Sequence, residues 1–395
     1  RSFCDLGMSP LSNRYLRAED LNKAEPFYPL HAYVCEACLL VQLEAFESPE
    51  SIFSDYAYFS SYSDTWLRHA ERYASAVVGR LGLPASAQVV EIASNDGYLL
   101  QYFKRQGQAV LGIEPAANVA RVAVEKGIPT RVEFFSAACA RRLVAEGTRA
   151  DLLAANNVLA HVPDLNDFLQ GVRVLLAPQG VASFEFPHLL RLVLGNQFDT
   201  IYHEHFSYFS LTALQRALSA NGLRAFDVEE LETHGGSLRL YVCQADAKRP
   251  DQDSVPRVLR DERAAGLGGV GGYAAFEAGV RETKRRLLDF LIAAKRDGKA
   301  IVGYGAAAKG NTLLNYCGIR QDFVDYVVDR SPHKQGRYLP GTHLRIEAPE
   351  RIAETRPDYL LILPWNIRAE VMEQNAFIRE WGGRFVVPIP RPEVL

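Results

Sequence analysis

Two short segments concentrate side chains able to move protons. One is Asn156-Asn157-Val158-Leu159-Ala160-His161, just past the apolar run Ala150–Ala155. The other is Thr200-Ile201-Tyr202-His203-Glu204-His205-Phe206-Ser207-Tyr208. Making a carbon nucleophile beside a ketone takes a base for the acidified proton and a donor for the enolate oxygen. Histidine, which titrates near neutrality, suits the base, and tyrosine suits the oxygen. Other roles compete. His203 and His205, two apart, would share one strand face and could bind a metal or fill a core or turn. His161 could cap the Val-Pro-Asp turn that follows it. Tyr56, Tyr58 and Tyr62 alternate as in a strand, a pattern that serves packing more often than catalysis.

A second chemical signal is Val90-Glu91-Ile92-Ala93-Ser94-Asn95-Asp96-Gly97, where a strand would turn into a helix. Ligands of doubly wound sheets bind at such carboxyl ends. The loop lacks the repeated glycines that admit a pyrophosphate. Its acids, Glu91 and Asp96, repel phosphate but suit an ammonium group. Glu114, closing the next strand, is placed to accept from ribose hydroxyls. A ligand with an amino acid, a ribose and no phosphate is S-adenosylmethionine, the expected cofactor; Asn156 and Asn157 fall at a neighbouring strand end. The alternative is a ligand-free turn capped by Asp96.

A third signal, Gly303-Tyr304-Gly305-Ala306-Ala307-Ala308, matches G-x-G-x-x-A. Its backbone amides and Lys309 could cradle a diphosphate at a helix N-terminus. Asp329 could take a ribose or cap a turn. The guest could be a nicotinamide dinucleotide or the diphosphate of a nucleotide-sugar.

Cys35 and Cys38 have the spacing of half a tetrahedral zinc site, or are two ordinary small buried residues. The other four cysteines are Cys4, Cys139, Cys243 and Cys317.

The elements that must position these groups are legible in outline. Residues 1 to about 65 read as a small irregular module that a metal would staple. A helix is expected over 65–81, then strands at 88–93, 109–113, 150–155 and 181–186, with helices at 98–106 and 116–126. A polar helical stretch runs to Arg296, and a second series of strands falls at 300–303, 325–328 and 359–363. Strands alternating with helices give a parallel, doubly wound α/β fold. The expected division is a zinc-type module over 1–66, a Rossmann-like methyltransferase domain over 67–245 and a second Rossmann-like domain over 246–395. A length of 395 residues exceeds one core and fits this division. A net charge of −3 without basic runs argues against nucleic acid or an anionic membrane as partner. No apolar stretch approaches the roughly 20 residues that span a bilayer, and no signal segment opens the chain, so a cytoplasmic protein is expected.

Taken together, these segments resemble the bacterial sugar C-methyltransferases that act on nucleotide-linked deoxyketosugars. The matching residues are Asp5–Leu11, Tyr33–Cys38, Glu91–Gly97, Asn156–His161, Tyr202–His205, His234–Ser237, Gly303–Asn311 and Pro364–Asn366, in order along nearly the whole chain. The resemblance implies His205 as the base beside a 4-keto group, oriented with the substrate by Tyr202, Glu204 and His161, with Tyr56 closing over the sugar. It implies nucleotide contacts at Gly305, Ala306, Lys309 and Asn311, and position 3 as the methylated carbon. The family carries an earlier Cys-x-x-Cys upstream of Asp5-Leu6-Gly7, of which Cys4 could at most be the second cysteine. A fully ligated zinc is therefore expected only in the full-length protein. Competing expectations are oxygen or nitrogen methylation, a nicotinamide-dependent sugar oxidoreductase using the Gly303 loop, and a non-catalytic binding module. The second α/β domain, the lack of a Tyr-x-x-x-Lys pair and the intact Tyr202, Glu204 and His205 argue against each in turn.

Overall fold

The computed structural model describes residues 1–48, 60–62 and 64–395; Tyr56 and Tyr58 lie outside them. Strands β1 (Ser2–Ser9), β2 (Tyr28–Val34) and β3 (Val41–Leu43) form an antiparallel meander. Along β2, Leu30, Ala32 and Val34 are buried and alternate with more exposed neighbours, the period-two pattern of a sheet covered on one face. The buried face does not need a metal staple to exclude water. Phe3 stacks on Phe276 with ring centroids 4.6 Å apart. One apolar cluster joins Phe3 and Leu30 to Phe198 and Ile201 and to Leu287, Leu313 and Leu363. The module is thus an ordered sheet rather than the irregular segment its turn-rich sequence suggests.

Helix α1 (Asp64–Leu81) buries Ala70, Tyr73, Ala74 and Val77, one helical stripe. The central sheet follows with β4 (Gln88–Ile92), β5 (Ala109–Ile113), β6 (Thr130–Arg131), β7 (Ala150–Asn156) and β8 (Leu176–Pro187), all parallel. The chain then leaves it. Strand β9 (Ser207–Tyr208) pairs with β3 and becomes the fourth strand of the N-terminal sheet. Strands β10 (Leu223–Leu231) and β11 (Ser237–Gln244) return as an antiparallel hairpin, giving the order β10-β11-β8-β7-β4-β5-β6. The edge strand β10 is invisible as an apolar run because Arg224, Asp227, Glu229 and Glu230 interrupt it. The third sheet comprises β12 (Ile301–Tyr304), β13 (Val327–Val328), β14 (Ile346–Glu347), β15 (Tyr359–Ile362), β16 (Arg384–Val387) and β17 (Glu393–Val394), in the order β14-β13-β12-β15-β16-β17 with only β17 antiparallel. The fold is α/β, with two Rossmann-like sheets behind a small N-terminal sheet. Among the described residues, no helix is long and apolar enough to cross a membrane.

Candidate active site

The order of each large sheet reverses beside its first strand, β4 or β12, and each glycine loop begins there. After β4 the backbone turns through three left-handed residues, Ala93 (φ 52°), Asn95 (φ 50°) and Gly97 (φ 77°). Glu114 holds this shape: its Oε2 accepts from the Asn95 N–H and its Oε1 from the Ala116 N–H, both at 2.9 Å. A carboxylate has about four lone-pair positions, so two remain for ribose hydroxyls. Asn95 Oδ1 accepts from the Ser60 N–H, and Asp96 pairs with Lys126 at 3.0 Å. The Asn95 side chain therefore also anchors neighbouring backbone and that of Asp96 also holds a lysine, which their expected ligand role had not included. Glu91 is buried, and among the described residues neither of its carboxylate oxygens is within bonding geometry of a donor, although Tyr98 and the Leu100 N–H lie close enough to favour its ionised form; Asp96 Oδ1, Asn156 Oδ1 and Asn157 Oδ1 are likewise buried with no partner among the described residues. Burial pushes Glu91 well above the usual carboxylate range, and Glu114 and Asp96 add to the rise. Unsatisfied acceptors around a left-handed loop fit a ligand bearing an ammonium group and hydroxyls.

The second segment folds as a turn between a short 3₁₀ helix (Phe198–Thr200) and β9. Pairing of β9 with β3 fixes one end; the Ser210 side chain, which caps the following helix at Ala213 N–H, holds the chain beyond it. Inside the turn, His205 Nδ1 lies 3.0 Å from the Thr200 carbonyl oxygen, which only accepts, so Nδ1 carries the proton. Nε2 is then the basic nitrogen, and the Tyr202 hydroxyl donates to it at 2.7 Å. His161 repeats the arrangement, its Nδ1–H donating to the Glu204 carbonyl at 2.7 Å. The two rings meet edge to face at 4.7 Å. Burial holds His161 down at about 4. Burial, then His161, hold His205 well below the usual histidine value. Burial lifts the Glu204 carboxyl to about 7 against a bond from Asn13 that favours ionisation. Two neutral imidazoles and a carboxyl poised near neutrality form an acid–base cluster.

His203 is not part of it. The two histidines share no strand face: His203 points toward the N-terminal sheet, with Nε2 3.2 Å from the Pro29 carbonyl and its ring against Tyr28 and Phe46. Tyr62, the third of the alternating tyrosines, is exposed and stacks near His333.

Around the second glycine loop the expectation needs correcting at Gly305 and Ala306. Gly305 has φ 91°, and a Cβ there would sit 2.6 Å from Pro364 Cδ, so the glycine serves close packing of the loop on Pro364. The Ala306 N–H is already taken by Asp329 Oδ2 at 2.8 Å; the acid caps the turn. Lys309 turns inward, its Nζ near the His234 carbonyl and Asn366 Oδ1 and 5.0 Å from the Trp365 ring centroid. Burial lowers its pKa, while Asp199 opposes. Asn311 is fully buried, and its Nδ2 has no hydrogen-bond partner among the described residues.

Cys35 and Cys38 meet in one tight turn. Backbone N–H groups of Cys38 and Ala37 lower the Cys35 pKa, as a thiolate ligand requires. Two donors are half a zinc site, and no group of three or more His, Cys, Asp or Glu that could hold a metal occurs among the described residues. Cys4 cannot serve here: it lies in β1, fully buried within the apolar cluster.

Several groups near the site are given no role by residue type and spacing, although His234 and Trp365 lie in segments that carry the family resemblance. Trp365 Nε1 donates to Asp199 Oδ2 at 2.7 Å, joining the C-terminal domain to the residue before Thr200. His234, left-handed at φ 55°, faces Trp66, which also stacks on His69 and Tyr98. Glu185, ending β8 beside Asn156, binds His69 at 2.9 Å and Arg239 at 2.5 Å. Trp365–Asp199, Trp66–His234 and His69–Glu185 each join residues more than 100 apart in sequence, invisible to spacing.

Comparison with known proteins identifies the family. A family described as "C-methyltransferase C-terminal domain" matches residues 232–390, a "Methyltransferase domain" family residues 66–228, and a "Putative zinc binding domain" family residues 1–53. The chain is 36% identical over 389 residues to the C-methyltransferase NovU of Streptomyces niveus, covering 98% of this chain and 93% of that one. Solved structures align with about half of it. Magnesium protoporphyrin IX methyltransferase from Synechocystis PCC 6803 is 15% identical, covering 49% of this chain and 88% of its own, with a TM-score of 0.35. The 1,6-didemethyltoxoflavin-N1-methyltransferase of Burkholderia thailandensis is 19% identical, covering 54% and 98%, with a TM-score of 0.37.

Proposed function

Because this chain belongs to the S-adenosylmethionine-dependent C-methyltransferases, we propose that it methylates a nucleotide-linked 4-ketodeoxysugar at C-3 through an enolate. The observation that carries the reading is the tautomer of His205: Nδ1–H is bound to the Thr200 carbonyl and Nε2 is left basic, uncharged and dry. Nε2 takes the proton from the carbon beside the ketone. Tyr202, whose hydroxyl donates to Nε2 before substrate enters, supplies the donor for the developing enolate oxygen. His161 and Glu204 hold the base and sugar, and Tyr56 is assigned to close over the ring. Glu91, the loop from Ala93 to Gly97, Glu114, Asn156 and Asn157 would hold S-adenosylmethionine, which supplies an electrophilic methyl group when bound. Lys309 and Asn311 are assigned to the nucleotide diphosphate, with Gly305 and Ala306 shaping the loop behind them. Cys35 and Cys38 are assigned as two thiolates of a structural zinc; a full-length preparation without zinc would remove that assignment.

The test is proton exchange coupled to methyl transfer. In deuterated water, a thymidine-diphosphate 4-ketosugar should gain deuterium beside the ketone, and a carbon-bound methyl once S-adenosylmethionine is added. His205→Asn should lose both by about a hundredfold or more. A methyl appearing on oxygen or nitrogen without exchange would overturn the mechanism.

A further inference from the structure

The N-terminal sheet reaches the acid–base cluster directly. Asn13, in the loop after β1, donates from Nδ2 to both oxygens of Glu204, at 2.8 and 2.9 Å. Among the described residues no other hydrogen bond to that buried carboxyl is present. Asn13 is itself fixed from behind. The Tyr15 hydroxyl shares its hydrogen between the Ala306 carbonyl, at 2.6 Å, and Asn13 Oδ1, at 3.2 Å. Lys334 Nζ also donates to the Ala306 carbonyl, at 2.9 Å, and pairs with Asp329, which binds the Ala306 N–H. A continuous polar chain therefore runs Glu204–Asn13–Tyr15–Ala306–Asp329/Lys334, crossing all three parts of the molecule.

We propose that Asn13 and Tyr15 are positioning residues of the active site: Asn13 orients the Glu204 carboxyl, and Tyr15 locks Asn13 to the second glycine loop. The inference rests on Glu204 belonging to the reaction machinery. A lone asparagine pair on a buried carboxyl sets both its direction and its charge, because the bond favours the ionised form that burial disfavours. The other polar and titratable groups facing Glu204 are few. His161 donates to its backbone carbonyl, His205 follows it in sequence, and Tyr15, Lys334 and Asp329 lie behind Asn13. The N-terminal module is then a working part of the site and not an appended metal-binding tail.

Titration of Glu204 in the full chain tests this without any assumption about the sugar. With glutamate labelled at the side-chain carboxyl carbon, the Glu204 resonance is the one absent from Glu204→Gln. Asn13→Ala should move its midpoint up by roughly one unit, and Tyr15→Phe should move it in the same direction by less. With the thymidine-diphosphate 4-ketosugar, Asn13→Ala should lower kcat about a hundredfold while KM changes less than threefold. Midpoints matching the wild type in both variants would overturn the proposal, because a packing role alone leaves them in place. If Asn13→Ala does not fold, Tyr15→Phe, which deletes one oxygen, decides alone. A wild-type enzyme inactive on the 4-ketosugar would overturn the substrate assignment and leave the titration result standing.

Discussion

In the His205 ring burial and His161 disfavour the charged form, the Thr200 carbonyl bound at Nδ1 favours it, and burial wins. The consequence is a pH dependence unlike that of an exposed histidine. A base works unprotonated, and its pKa is lowered, so protonation begins only at more acid pH. In a Glu204→Gln background, which removes the carboxyl that titrates near 7, the acid limb of kcat/KM for proton exchange should therefore lie below 6.5; a limb at or above 6.5 there would show that the base is solvated. His161, at about 4, is still neutral at pH 6. Residue types and spacing pointed to this cluster, because histidine can serve as base and tyrosine as oxygen donor, but they left metal, core and capping roles open. They could not separate His205 from His203, since a turn replaces the expected strand and sends the rings to different neighbours. Nor could they reveal Asn13, which meets Glu204 only through the folded chain.

At the scale of elements, the loop after β4 depends on a left-handed Gly97 whose added Cβ would stand 3.0 Å from Ile128 Cγ1. Gly97→Ala combines backbone strain with crowding, about 1–2 kcal/mol. It should weaken S-adenosylhomocysteine binding about tenfold by calorimetry, a change of about 1.4 kcal/mol. The end of β8 makes a separate prediction. Burial works against ionising Glu185, but His69 and Arg239 outweigh it and hold the carboxyl at about 2. A depressed carboxyl contributes stability that is present above its unfolded pKa and is lost as pH falls toward 2. Glu185→Gln removes that contribution and leaves the buried Arg239 with Glu229 as its one carboxylate partner among the described residues, at 3.3 Å. It should cost about 3–5 kcal/mol in urea at neutral pH and flatten the loss of stability between pH 4.5 and 2. A variant that unfolds like the wild type would show the pair to be energetically idle. Both glycine loops were legible because strand, loop and acid recur in order. What the second loop does was not, because G-x-G-x-x-A looks the same whether its amide meets a phosphate or, as here, Asp329.

At the scale of the molecule, one apolar cluster takes residues from all three parts, so the N-terminal sheet and the C-terminal domain stand or fall together. Phe3→Ala, in that shared core, should cost about 3–5 kcal/mol and shift a single unfolding transition reported by both ends of the chain. A separate early transition of the N-terminal sheet would contradict this. The parallel sheets were readable because each buried strand is a short apolar run. The return of β9 to the first sheet was not, since two residues of Ser and Tyr carry no periodicity.

That return has a consequence for how the protein is made. Strand β3 ends at Leu43 and its partner β9 ends at Tyr208, so the ribosome must add 208 − 43 = 165 residues before the pairing can close. At ~5–20 residues per second this is on the order of 10 s. During that interval β3 presents an open strand edge to solvent or to neighbouring nascent chains. The newborn chain is most exposed to mispairing while the first sheet waits for the segment that carries His205.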